Sequence, residues 1–289
     1  MSEIRTVGFV GLGNMGLPMV TRLVSAGFAV RAYDRSGSAV ARAEEAGATG
    51  VESAAAAADG AEAVVLMLPD SAVVSAVVRL LADALQPGAL VVDCSSSEPL
   101  VTRALAEELA SHGVRMIDAP VSGGVKGAEK GSLTVMVGGA DEDVAAATPV
   151  LTVFGRVVHA GPVGSGDAVK ALNNLLSATH LLVTSEAILA GQRFGLKPEV
   201  MLSVFNGSSG RSGSTENKWP NFILPGTYDS GFGLRLMLKD MRIAVGLAEQ
   251  TGRPARLGAD AVALWAEAAD ALEASADHTE IARWLGEDS

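Results

Sequence analysis

A single cysteine, Cys94, leaves no partner for an intrachain disulfide, which argues against a disulfide-stapled secreted domain and for a reducing compartment. Lysine is nearly as sparse, confined to Lys126, Lys130, Lys170, Lys197, Lys218 and Lys239. With a formal net charge of -11 there is no basic surplus to track a phosphate backbone, so general nucleic-acid binding is excluded. An anionic small substrate is not, because a few local cations decide that. No run of 18 or more residues is apolar enough to span a bilayer; the nearest, 172–191, is broken by Asn173, Asn174, His180 and Glu186. The opening Met1-Ser-Glu-Ile-Arg-Thr lacks the basic-then-apolar order of a leader, and a cytoplasmic protein is expected. His112, His159, His180 and His278 have no metal-ligand spacing, so no metal is expected.

What is present is a globular composition, 48% hydrophobic and 19% charged, in 289 residues that suit two domains. Short apolar runs alternate with helical patterns: strands over 6–10, 28–33, 63–68, 89–93 and 115–118, helices over 15–26, 38–46, 53–59, 71–85 and 100–111. Strands 133–137 and 157–159 follow, with a helix over 141–151 between them. This alternation predicts an α/β fold of Rossmann type, a doubly wound, mostly parallel sheet, over residues 1–163. After the glycine-rich 161–166 only helical patterns remain (167–194, 198–206, 234–251, 258–274, 279–285), with a polar loop from Gly207. An all-α domain over 164–289 is expected, contributing to the substrate site and to assembly. The long apolar helix and the region of Trp265 and Trp284 suggest more apolar surface than such a domain covers alone, so a homodimer or homotetramer is expected.

Gly11-Leu-Gly-Asn-Met-Gly16 fits G-x-G-x-x-G directly after the first strand and at the opening of the first helix. Gly11 would allow the turn, Gly13 the approach of a pyrophosphate and Gly16 helix-to-sheet packing, with Leu12, Asn14 and Met15 completing the cofactor loop. A plain strand-to-helix turn is the bland alternative. Asp34 ends the second strand, 18 residues after Gly16, where a carboxylate accepts from ribose hydroxyls and repels a 2'-phosphate. That favours NAD. Arg35 keeps NADP open, because a guanidinium pairs with phosphate.

Four stretches in order carry a likeness: Phe9-Val-Gly-Leu-Gly-Asn-Met-Gly-Leu-Pro-Met, Asp118-Ala-Pro-Val-Ser-Gly-Gly124, Gly164-Ser-Gly-Asp-Ala-Val-Lys-Ala-Leu-Asn-Asn174 and Lys239-Asp240. In these the chain resembles the β-hydroxyacid dehydrogenase family. The resemblance implies hydride transfer between a nicotinamide cofactor and a small β-hydroxy acid or semialdehyde acid, of the 3-hydroxyisobutyrate or tartronate semialdehyde kind. It also implies roles: Lys170 catalytic with Asn174 as partner, and Ser122, Gly123 and Gly124 on the substrate carboxylate. Leu68, Pro69 and Ser96 would contact the cofactor, Lys239 would reach toward it, and Phe232 would line the cleft.

The chemistry supports Lys170 independently of the likeness. Removing a hydroxyl proton while hydride departs needs a positioned acid/base, and burial beside a nicotinamide cation would lower a lysine toward working pH. Four residues on, Asn174 shares its helix face. A lysine snorkelling from the helix's first turns is the alternative. Ser122-Gly-Gly is either an ordinary turn or a carboxylate cradle of N–H groups. Arg211, in the polar loop, is a candidate for a second acidic group. Cys94 reads as a small buried residue, and Asn173 as structural. Two other functions compete: a cofactor-binding sensor without turnover, against which the Lys170–Asn174 pair argues, and a decarboxylating sugar-acid dehydrogenase, for which the helical portion looks short and no basic phosphate cluster is apparent.

Overall fold

The computed structural model describes residues 4–82 and 84–287. The chain divides into two compact units after Lys170.

In the first unit the strands are β1 (Thr6–Val10), β2 (Ala29–Tyr33), β3 (Thr49–Gly50), β4 (Ala63–Leu66), β5 (Leu90–Asp93), β6 (Arg115–Asp118), β7 (Val121–Ser122), β8 (Leu133–Gly138) and β9 (Gly155–Gly161). The helices between them are α1 (Gly16–Ser25), α2 (Gly37–Glu45), α3 (Ala54–Ala58), α4 (Ser71–Ala82), α5 (Pro99–Ala110), α6 (Gly124–Lys130) and α7 (Asp141–Leu151). Sheet order is β3-β2-β1-β4-β5-β6-β8-β7, with β9 beside β8. The first six strands are parallel in the order 3-2-1-4-5-6; β8 runs antiparallel to β6 and β7. That order reverses direction between β1 and β4, and ligands of such sheets bind at the carboxyl ends of the strands beside that point.

The strands' period of two divides the core. Val7, Phe9, Ala63, Val65, Val92 and Ile117 face one side, packed with α1, α2, α6 and α7. Val64, Leu66, Val91 and Met116 face the other, packed with α3, α4 and α5. Each fully buried side chain of this size contributes about 1.5–3 kcal/mol, so the near-continuous apolar strands follow from burial on both faces.

Past the last strand, α8 (Ser165–Phe194) runs for 30 residues, with the unit boundary inside it. The second unit continues with α9 (Pro198–Asn206), a π-helical segment Ser214–Ile223, α10 (Leu234–Gln250), α11 (Arg256–Ala271) and α12 (Ile281–Glu287). Its core holds Leu181, Ile188, Trp219, Leu234, Met241 and Trp265. Among the described residues it has no strand, only an isolated bridge between Gly233 and Asp277, and among the described residues of both units no helix is long and apolar enough to cross a membrane.

Several expectations need correction. The polar loop from Gly207 is short, because Ser214 already opens the π-helical segment; Ser212 holds that start by accepting from Ser214 N and Thr215 N. The helix expected to reach residue 85 does not, since Ala84 already lies in a turn. Trp265 is wholly buried and so supplies no free apolar surface, while Trp284 is half-buried against the same core. On α8, the long helix of the same expectation, Val169, Leu172, Leu176 and Val183 are exposed and share one arc.

Candidate active site

Apart from Lys239, which lies in α10 of the second unit, the residues expected to hold a cofactor follow the carboxyl ends of the parallel strands. Gly11 follows β1 with φ at 101°, and a Cβ there would come 2.2 Å from the Met67 carbonyl oxygen, so only glycine makes this turn. A Cβ on Gly16 would fall 1.9 Å from the Gly11 oxygen, which is the close helix-to-sheet contact expected of it. Gly13 differs: nothing lies within 4 Å of a Cβ built there, so its backbone faces open space that a ligand could approach. Helix α1 begins at Gly16 with neither a side-chain cap nor an acid in its first turn, leaving its positive end to a phosphate. Leu12 is buried, Asn14 exposed and Met15 half-buried.

Asp34, directly after β2, ties this loop down. Its Oδ2 accepts from Leu12 N at 2.7 Å and its Oδ1 from Ser36 N at 2.8 Å. A carboxylate oxygen has two lone pairs, so each keeps one for a ribose hydroxyl. Arg35 is exposed. These residues fit a dinucleotide: a glycine cradle, an unopposed helix N-terminus and a fixed carboxylate. After β4, Leu68 is half-buried and its N–H donates to Ser95 Oγ at 2.9 Å, while Pro69 is exposed. After β5, Ser96 is half-buried between the buried Ser95 and Ser97.

After β6 comes the stretch expected to bind a carboxylate. It is not the simple loop that its glycines suggest: Ser122 lies in β7 opposite Thr134, and Gly124 is the first residue of α6. Gly123 and Gly124 have φ of 138° and 64°, two successive conformations that L side chains rarely adopt. Ser122 and Gly124 are half-buried, Gly123 exposed.

Beneath this edge lies a group of acids to which sequence reasoning assigned no role. Asp93 and Asp118 end adjacent strands and are register partners, both wholly buried. Asp118 accepts from Gly164 N at 2.7 Å and from Asp167 N at 2.8 Å, so it caps the start of α8. Asp167, 1% exposed, accepts from Thr102 Oγ1 at 2.8 Å and from Ser97 N at 3.3 Å, and Ser97 Oγ donates to Asp93 at 2.9 Å. Burial pushes the Asp118 carboxyl up to about 6, with Asp93 adding to the rise against the two backbone donors. Asp167 also rises, from burial first and then from its acidic neighbours. The same burial and acids push the Cys94 thiol up, so it stays protonated and inert.

Lys170 sits in the second turn of α8, 7% exposed; Asn174, one turn on, is 5% exposed. Asn174 is fixed within the helical unit: its Nδ2 donates to Asp240 Oδ2 at 2.6 Å, and its Oδ1 accepts from Asn173 at 3.2 Å. Lys239 Nζ lies 3.2 Å from Asp240 Oδ1, so the Lys239-Asp240 pair turns at least one member toward Asn174. Phe232 is half-buried with its ring edge-on to His278, centroids 5.8 Å apart. Arg211 pairs with Glu216 at 2.7 Å on the surface, an interaction of about 0–1 kcal/mol. Among the described residues no group of three or more His, Cys, Asp or Glu is arranged for a metal.

Comparison with known proteins agrees with this geometry. Residues 6–162 match the family model for the NAD-binding domain of 6-phosphogluconate dehydrogenase, and residues 164–285 that for the NAD-binding domain of NADP-dependent 3-hydroxyisobutyrate dehydrogenase. The chain is 37% identical to the 2-(hydroxymethyl)glutarate dehydrogenase of Eubacterium barkeri over 88% of its own length and 86% of that protein's. It is also 37% identical to the NAD-dependent L-serine dehydrogenase of Pseudomonas aeruginosa, over 91% of each. The solved 3-hydroxyisobutyrate dehydrogenase of Mycobacterium tuberculosis with L-serine superposes at a TM-score of 0.94, with 33% identity, covering 98% of this chain and 99% of that one. With that match over both units, the chain belongs to the β-hydroxyacid dehydrogenase family and is an NAD(P)-dependent oxidoreductase acting on the hydroxyl group of a hydroxy acid.

Proposed function

We propose that the substrate has the form HOCH2–CH(R)–COO⁻ and that Lys170 is the general acid/base in its reversible oxidation to the semialdehyde. L-serine, 3-hydroxyisobutyrate and 2-(hydroxymethyl)glutarate, named in the relatives above, share that unit and differ in R. Tartronate semialdehyde, reduced, has it too. The observation that supports the reading best is the buried Lys170 beside Asn174, itself oriented by Asp240. A bound nicotinamide supplies the hydride acceptor. In the oxidative direction neutral Lys170 Nζ takes the hydroxyl proton as the carbinol hydrogen leaves as hydride; in reduction the ammonium returns that proton to the forming alkoxide. The second N–H of Asn174 is left to hold the same substrate oxygen. Ser122 and the N–H groups of Gly123 and Gly124 hold the carboxylate, which needs no full positive charge.

Asp34 supports NAD as the preferred cofactor, since its carboxylate is held where a 2'-phosphate would meet it. The wild type is expected to show a higher kcat/KM with NAD than with NADP, and Asp34→Ser to narrow or invert that ratio by tenfold or more, roughly the 1–3 kcal/mol of a charge-assisted contact. A wild type that prefers NADP contradicts this. The exposed stripe of Val169, Leu172, Leu176 and Val183 supports self-association into a dimer or tetramer, and light scattering that gives a monomer mass would count against it.

A further inference from the structure

Lys218 lies in the π-helical segment, and its Nζ donates to Ser177 Oγ at 2.8 Å and approaches the Ser177 carbonyl at 3.4 Å. Both partners are neutral. Among the described residues no carboxylate lies within 4 Å of this ammonium. Asp277, the acid whose charge it feels, is already engaged: it accepts from Ser230 Oγ, Gly231 N, Phe232 N, Thr279 N and Thr279 Oγ1. His278, which also feels the Lys218 charge, is kept neutral, lowered to about 4 mainly by burial, and offers no negative charge. A half-buried cation without a counter-ion costs stability that an apolar side chain there would not. Burial lowers Lys218 only to about 8, so it remains mostly charged at neutral pH.

Its partner places it. Ser177 is seven residues past Lys170 and three past Asn174, and the three share one arc of α8 opposite the exposed Val169–Val183 stripe. Asn174 to Ser177 is about 4.5 Å along the helix axis, the reach of a few methylene groups. We infer that Lys218 and Ser177 form a subsite for the R group, and that R carries a second acidic group: the substrate is a β-hydroxy dicarboxylate. The inference rests on the substrate form proposed above. The same ammonium disfavours an R that is itself cationic, as in L-serine.

The test compares kcat/KM for 2-(hydroxymethyl)glutarate, 3-hydroxyisobutyrate and L-serine in wild type, Lys218→Met and Lys218→Arg. The dicarboxylate should lead in the wild type, and its ratio to 3-hydroxyisobutyrate should fall about 10- to 100-fold in Lys218→Met, through KM, with partial recovery in Lys218→Arg. Equal use of all three, or a Lys218→Met loss shared alike by the two acids, would mean that Lys218 is a structural staple. A thermal-shift arm with unreactive glutarate and butyrate separates this idea from the parent reading. Glutarate should raise the wild-type Tm more than butyrate does, and not in Lys218→Met. If none of the three acids turns over but glutarate still discriminates, the subsite stands and the substrate form is wrong. If both ligands shift Tm equally, the subsite is wrong whatever turns over.

Discussion

Replacing Lys170 with methionine is expected to lower kcat about a hundred- to ten-thousandfold, the usual contribution of a positioned acid/base, while cofactor affinity is kept. Methionine fills nearly the same volume and is content to be buried, so it preserves packing at a site only 7% exposed. It has no proton to exchange, and the hydroxyl proton would have to leave unaided while hydride departs. The loss should appear in kcat and in kcat/KM alike, because proton transfer is made only in the transition state. Steady-state kinetics beside a direct binding titration with NADH separate the two. A variant that raises KM and leaves kcat intact would assign Lys170 to substrate binding and move the proton transfer elsewhere.

Asp118→Ala should cost about 2–4 kcal/mol of unfolding free energy, because two buried backbone donors, Gly164 N and Asp167 N, lose their acceptors. Removing a buried charge beside Asp93 offsets part of that loss, which keeps the expected value below the sum of two orphaned N–H groups. Activity should fall as well, since α8 starts from that cap and carries Lys170 five residues after Ser165. Denaturant titration measures the first effect, and unchanged stability would show that water replaces the carboxylate. The same acids set a pH dependence. Asp118 and Asp167 are raised in the fold, so their contribution is fully present below the ordinary carboxylate pKa and is lost as pH rises through their folded values, about 6 for Asp118. Between pH 4 and 7 the wild type should therefore lose stability relative to Asp167→Asn, which cannot ionise. Parallel curves would contradict the burial of these charges.

The parallel half of the sheet was legible because its signals are local. Apolar runs such as Ala-Val-Val-Leu, a glycine fingerprint after the first and an acid after the second need no knowledge of neighbours. Strands β3 and β7 were missed, since two residues carry no periodicity and exist only through pairing with β2 and β8. Helix α6 was hidden by Gly124, Gly127 and Gly131, which read as loop. The acid cluster was missed for a related reason. Asp93 and Asp118 each look like an ordinary strand end, and only register brings them together over Asp167. A pair of strands that both finish in aspartate was the available signal. Lys218 gave none: its meaning lies in the absence of a nearby carboxylate, which is a fact of tertiary structure. Trp265 was misjudged because a large aromatic residue in an amphipathic helix reads the same whether its own unit or a partner covers it.

The most direct test of the account is to follow NADH formation by absorbance, with purified protein, NAD and a series of HOCH2–CH(R)–COO⁻ acids. Turnover of at least one, with the semialdehyde trapped as its hydrazone before it can lose CO2 unaided, is the predicted result. Tight NADH binding with no turnover of any member in either direction would contradict the proposed substrate class and the proton-transfer role given to Lys170.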